Sequence, residues 1–379
     1  MKYVTFSSLF FLFLLIITSC QEANNKNLDT QTIVRESKAT DARGIIQGKA
    51  LSKYVGQPGR LIVVAENTVF TDEISRLLDS VYSQPVRPYY PFFPKFEIHH
   101  ITPEQFNKGN NRLRNLMFLF LTNEPVDSAL QIRVKKDYYA QHQLIVEYRA
   151  HTMNELFSLL SSSADEMLQR FDEIEWKREY YRHKADNNTV LKNQLAKQFG
   201  ITLELPKHGT FESNRKNFAR IAFPDRSRPM DLTTEGSQGK SKVNFIQSGI
   251  MIWQIPFKDS SQLTPEYLMR ARDTILKYNA LHEFPGVYMG TQDHPAVLPV
   301  SKRIKIGAVE GYEFRGLYKF TGRLEPSGGK FWSFHFLHPK RQQIMAVSGY
   351  LDAPPTMSPA FDLRRIQAVI YSLKLVERK

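Results

Sequence analysis

The chain holds a single cysteine, Cys20, in 379 residues. One thiol closes no internal disulfide, and zinc knuckles and iron–sulfur centres, which need several thiolates, are excluded. Long apolar runs are also scarce. Leu9 to Ile17 gives nine apolar residues, far short of the roughly 20 that a membrane-crossing helix requires. No Gly-x-Ser-x-Gly elbow occurs, which removes the main support for an α/β-hydrolase. Gly239-Lys240-Ser241 resembles the end of a phosphate loop, but Thr234 stands where the first glycine belongs and no apolar strand precedes it. That tripeptide reads as a surface loop.

Lys2, the apolar run and Ile17-Thr18-Ser19-Cys20 together form a bacterial lipoprotein signal. Residues 1–19 are expected to be removed, leaving an acylated Cys20 as the first mature residue and as the lipid attachment site. Acylation would also take the one thiol out of catalysis. The expected address is the cell envelope, at the outer membrane, with its periplasmic and surface faces both open. Lys and Arg exceed Asp and Glu, giving a formal net charge of +13. The basic residues lie in short groups such as Lys302/Arg303/Lys305 and Arg364/Arg365. They read either as solvated surface or as attraction to lipid headgroups or acidic glycans. The expected partners are the membrane through the anchor and an anionic envelope component or another envelope protein. Nucleic acid is excluded by the exported address, and no cofactor or metal is expected.

Residues 20–54 are polar and aperiodic, as in a flexible tether. Residues 55–210 and 211–379 read as two α+β subdomains of mostly antiparallel sheet, with helices packed on one face. In the first, Leu61 to Ala65 is a buried strand, Thr71 opens a helix through Ile74, Leu78 and Val81, and Leu116 to Leu121 is a central strand. Thr102-Pro103-Glu104-Gln105 reads as a short helix start. Thr152 caps a helix that slips near Ser161–Ser163, runs to about His183, breaks at Asp186–Asn188 and resumes to Gly200. The second half repeats the order: a strand at Ile250–Ile255, a helix from Thr264, strands at Arg315, Phe331 and Gln343, and a terminal helix from Asp362. The repeated order suggests internal duplication, although α+β proteins also repeat it by chance.

Several short motifs recur in a familiar order: Gly59 before Leu61-Ile62-Val63-Val64, Arg114-Asn115, Arg272-Asp273, Pro285-Gly286, Arg315-Gly316-Leu317, Gly328-Gly329-Lys330-Phe331 and Leu363-Arg364-Arg365-Ile366. With the lipobox, they make residues 55 to 375 resemble the Bacteroidetes-type lipoproteins that carry domain of unknown function 4837. Tyr318 stands where that family usually shows tryptophan. The resemblance implies an architecture and an address, but no activity.

Metal sites find no support in the histidines. His335/His338 and His99/His100 diverge across strands, and Pro285 ends the helix that His282-Glu283 would need. Asp172 and Glu175 sit beside Lys177 and Arg178 and read as a solvated helix face rather than a glycosidase pair. The remaining candidates are Arg114, Asn115, Arg272, Asp273, Arg315, Gly316, Gly328, Gly329 and Arg364. Arg114 and Arg315 head strands, where each guanidinium either closes the fold on a carboxylate or carbonyls, or lines a cationic cleft. Gly328-Gly329 either allows close approach to a ligand or makes a plain turn. The expected function is a lipid-anchored binding or assembly module; the alternative is a hydrolase or transferase acting on an envelope polymer.

Overall fold

The computed structural model describes residues 35–37, 51–107, 109–229, 243–322, 327–354 and 357–376. The lipid signal, Cys20, most of the expected tether and Gly239-Lys240-Ser241 lie outside the described residues. Within the tether, β1 (Arg35–Ser37) adds a parallel edge to a sheet.

The first unit runs β2 (Arg60–Val64), α1 (Asp72–Tyr82), β3 (Glu97–Ile101), β4 (Asn115–Leu121), α2 (Ser128–Gln131), β5 (Ile132–Lys136), β6 (Leu144–Ala150), α3 (Met153–Ser162) and α4 (Ala164–Ala185). Thr71 starts α1 as its side-chain oxygen accepts the Ile74 N–H, and Thr152 does the same for Glu155 at α3. The α3–α4 break falls at Ser163, within the serine run. Thr102 and Gln105 exchange capping bonds, yet no helix follows, because the Asn- and Gly-rich stretch after Phe106 turns instead.

The strand order is β1-β5-β6-β4-β2-β3. β2 pairs parallel with β3 and β4, and β4 pairs parallel with β6, which corrects the expected antiparallel first sheet. The chain has room for these crossovers: α1 makes one, and residues 102–114 make another without any helix. α1, α3 and α4 do cover one face, burying Ile74, Leu78, Leu156, Met167 and Phe171 against Leu61, Val63, Met117 and Val146. Phe106, Leu113 and Tyr139 shield the other face.

The second unit comprises α5 (Thr189–Phe199), β7 (Ile201–Thr202), β8 (Thr210–Arg215), β9 (Phe218–Ala222), β10 (Arg226–Pro229), β11 (Val243–Pro256), α6 (Pro265–Asn279), β12 (Tyr288–Thr291), β13 (Val300–Ile306), β14 (Val309–Thr321), β15 (Gly328–His338), β16 (Gln343–Asp352), α7 (Ala360–Tyr371) and β17 (Lys374–Leu375). Its large sheet is ordered β12-β14-β15-β16-β11-β9-β8, with β10 on β11 and β13 on β14. Neighbours in it are antiparallel, so the expectation holds here. α5 and α7 bury Leu195, Phe199, Ile366 and Val369 on one face. α6 buries Leu268 and Leu276 on the other, against Met251, Trp253 and Phe331. Helices on both faces correct the one-face expectation for this unit, because a broad sheet alternating apolar residues to both sides leaves neither face fit for water.

The halves are both α+β but unlike in topology, so the repeated element order is not a duplication. α1 bridges parallel neighbours, whereas α6 covers a face of an antiparallel sheet. The core also changes hands at Asp186–Asn188, ahead of residue 210, since α5 packs with the second sheet. The units interlock. Tyr89, in the proline-rich loop after α1, is wholly buried in the second unit's core and donates its hydroxyl to the Phe331 carbonyl at 3.1 Å.

Candidate functional site

The buried stripe of α4 begins with Met167 and Phe171 and continues at the same spacing through Glu175 and Arg178. Those two side chains are fully buried, which corrects their reading as a solvated face. Glu175 accepts from Arg114 at 2.9 Å, Arg178 at 2.7 Å, Asn115 Nδ2 at 2.7 Å and the Gly59 N–H at 3.3 Å. Arg178 also donates to the carbonyls of Arg114 and His142, and both guanidiniums sit over the Tyr54 ring. Burial raises the Glu175 pKa, but Arg114, Arg178 and Asn115 outweigh it and hold the carboxyl below its usual range. Burial pulls the Arg178 guanidinium down to about 10. Gly59 reaches this knot with φ 73°, a left-handed conformation that a side chain would strain. Arg114 and Asn115 are thus tied into the fold by buried partners.

A second cluster lies where the units meet. Lys95, Asp172, Lys302, Ile304, Glu313, Arg315, Trp332, Leu363, Arg364, Gln367 and Tyr371 line a chamber of 190 Å³. It opens into a groove of 680 Å³ between α4 and β13, reaching Trp176 and Gly307. Arg364 crosses the junction to Asp172 at 2.6 Å and holds Gln367 at 2.8 Å. Tyr371 donates its hydroxyl to Glu313 at 2.6 Å, and burial keeps that phenol protonated. Burial opposes the negative charge of Asp172, yet Arg364 and Lys95 hold its pKa below the usual value.

The cations are less well matched. Arg315 is half-buried, its Nε lies 3.6 Å from Glu313, and its guanidinium covers Trp332. Lys95 stands 3.8 Å from Asp172. Burial lowers the Lys95 pKa more than Asp172 restores it, and Arg364, Arg315 and Lys302 lower it further. Lys302 has no ion-pair partner among the described residues. Trp332 is buried with an unpartnered indole N–H. The chamber is short of negative charge.

Of the four candidate arginines, the structure brings Arg315 and Arg364 to this chamber and sends the others elsewhere. Arg272 is fully buried on the opposite face of the second sheet. It donates to Thr291 at 2.7 Å and Asp273 at 3.2 Å and stacks 3.9 Å above the Phe331 ring. Gly328 and Gly329 lie in β15, neither in a turn nor beside the chamber. A side chain at either would strike a neighbouring strand's carbonyl, and one at Gly316 would strike the Phe331 ring. These glycines serve strand packing. The sequence reading passed over Lys95, Trp332 and Tyr371, since nothing local marks them.

The carboxylates of the chamber are already engaged. Asp172 is gripped by Arg364, and Glu313 already accepts from Tyr371, so the hydrolase or transferase alternative gains no free acid–base pair here. Among the described residues no three His, Asp or Glu converge as metal ligands, and no helix is long and apolar enough to cross a membrane.

No curated protein matches the chain. Among solved structures, a mutant of the protein Mog1 is 10% identical with a TM-score of 0.28, over 47% of this chain and 92% of that one. The Saccharomyces cerevisiae Ran-binding protein Mog1p is 9% identical with a TM-score of 0.27, over 47% of this chain and 91% of that one. Likeness at that level carries no argument. The resemblance expected over residues 55 to 375 divides at the packing boundary: residues 55–184 match a different family model, described as Domain of unknown function (DUF8532). Residues 188–372 match the other, so the second unit is similar to the uncharacterised family described as Domain of unknown function (DUF4837).

Proposed function

We propose that this chain is a lipid-anchored protein of the cell envelope, held at Cys20, that works as a binding module. The chamber between the units takes the anionic group of its ligand. One observation carries this reading: the carboxylates there are committed to internal partners, while Lys302, Lys95 and Arg315 are left under-neutralised. An arriving anion would meet planar and ammonium donors in a partly desolvated space, where charge-assisted hydrogen bonds are strongest.

A photoreactive side chain at Ile304, which lines both chamber and groove, tests this in intact cells. The expected result is a discrete adduct that disappears when Arg315→Glu is added to the same protein. An adduct that survives Arg315→Glu, or no adduct at all from a folded protein, overturns the reading.

A further inference from the structure

β13 is an edge. Its one partner among the described residues is β14, from Val300 opposite Arg315 to Ile306 opposite Val309. The strand is mostly exposed and reads Val-Ser-Lys-Arg-Ile-Lys-Ile. A two-residue turn at Gly307-Ala308, with Gly307 at φ 58°, joins it to β14. The pair closing such a turn exchanges hydrogen bonds, and bonded pairs then alternate along the ladder. Lys302, Ile304 and Ile306 therefore direct their N–H and C=O groups to β14. Ser301, Arg303 and Lys305 direct theirs outward, to nothing among the described residues.

The groove beside that edge is walled by Lys302, Ile304, Lys305 and Ile306 on one side and by Gln169 and Trp176 of α4 on the other. Its two ends differ. Gly307 lines the groove alone, whereas Lys302 and Lys95 line both groove and chamber, and Arg315 lines the chamber. Outward backbone donors and acceptors on an edge beside this groove, with cations where groove and chamber meet, match an extended chain whose end is negative.

We infer that the groove binds an extended peptide that adds a strand to β13 and places its free C-terminal carboxylate in the chamber. This rests on the anion-binding reading above and names its ligand class. The chamber lies at the N-terminal end of β13, so a peptide ending there runs antiparallel to β13, in keeping with the rest of the sheet. Main-chain bonds to Ser301, Arg303 and Lys305 supply affinity, and the terminal carboxylate fixes register.

The test uses two pools of random seven-residue peptides, matching the length of β13, one with free C-termini and one amidated. Each is incubated with the full chain, and retained peptides are counted by mass spectrometry. The free-carboxylate pool should be retained about tenfold over the amidated pool, the effect of one charge-assisted contact. Arg315→Glu should abolish that preference. Arg303→Pro removes an outward N–H without touching a β14 bond and should abolish retention, while Arg303→Ala, which equally loses the Glu310 ion pair, should retain it. Circular dichroism checks that each variant is folded. Equal retention of both pools, or full retention by a folded Arg303→Pro, overturns the inference. If neither pool binds but anionic vesicles or an acidic glycan bind in an Arg315-dependent manner, the peptide assignment falls and the anion-binding chamber stands. If none of these probes binds, both fall.

Discussion

Glu175→Gln is the sharpest probe of how the first unit is held. The substitution keeps the shape of the side chain and one carbonyl oxygen, but removes the charge lying against Arg114 at 2.9 Å and Arg178 at 2.7 Å. All three side chains are at most 5% exposed, so water cannot stand in for the lost carboxylate. Removing one partner of a buried ion pair costs about 3–5 kcal/mol, because a charge is left uncompensated. The Gly59 N–H and the Asn115 amide are also at risk of losing an acceptor, at about 1–3 kcal/mol each. These losses overlap, so about 3–5 kcal/mol is the expectation for the whole. Lys177→Ala is the control: its bond to Glu173 is short, at 2.5 Å, but both partners are exposed, and its loss should cost about 0.5 kcal/mol or less. Urea unfolding followed by circular dichroism, with Trp176 fluorescence as a local reporter, reads both variants. If Glu175→Gln costs no more than Lys177→Ala, the knot is solvated in solution and the argument from burial fails.

Two other outcomes follow from the same structure and one from the sequence. Tyr89→Ala should destabilise the protein by about 3–5 kcal/mol, the cost of emptying a large aromatic site, whereas Tyr89→Phe, which removes only the hydroxyl's bond to the Phe331 carbonyl, should cost about 0.5–1.5 kcal/mol in the same urea assay. His335 is enclosed beside Trp253 and Phe314, and burial, aided by Arg272, lowers its pKa from 6.5 to about 3. The unfolded chain takes up a proton that the native state refuses, so His335 withdraws stability as pH falls through that interval, by about 1.4 kcal/mol per pH unit. His335→Phe should flatten the stability–pH curve by that slope between pH 6 and 4, and an unchanged slope would count against a neutral buried imidazole. Cys20→Ala should release the protein from the membrane fraction or leave it unprocessed; normal processing with membrane retention would refute anchorage at that residue.

The elements easiest to read were those marked by apolar period and capping. Thr71, Thr152 and Thr264 each start a helix as their neighbours imply. Gly200 ends α5, and the unbroken run at Leu116 is a central strand. β13 escaped because a lysine- and arginine-bearing edge strand carries little apolar alternation. The Glu175–Arg178 knot escaped for a different reason. Apolar periodicity stops counting at Phe171, although Met167, Phe171, Glu175 and Arg178 keep one helical spacing and one buried stripe. That spacing was the available signal. No such signal exists for the chamber, whose walls come from Lys95, Asp172, Lys302, Arg315, Trp332 and Arg364. These residues meet only after two unlike sheets have docked.

Tyr89 gives the junction a practical meaning. Family models separate the chain between residues 184 and 188, which invites expression of the second unit by itself. Yet the ring that completes the second unit's core is delivered from the first, on a loop that leaves α1 and returns to β3. A fragment beginning at residue 188 would fold around an open slot beneath Phe331, exposing apolar lining to water and to other copies of itself. Cutting by sequence family thus yields an aggregation-prone piece, and a soluble second unit needs either the first half in cis or the loop around Tyr89 added back as a peptide.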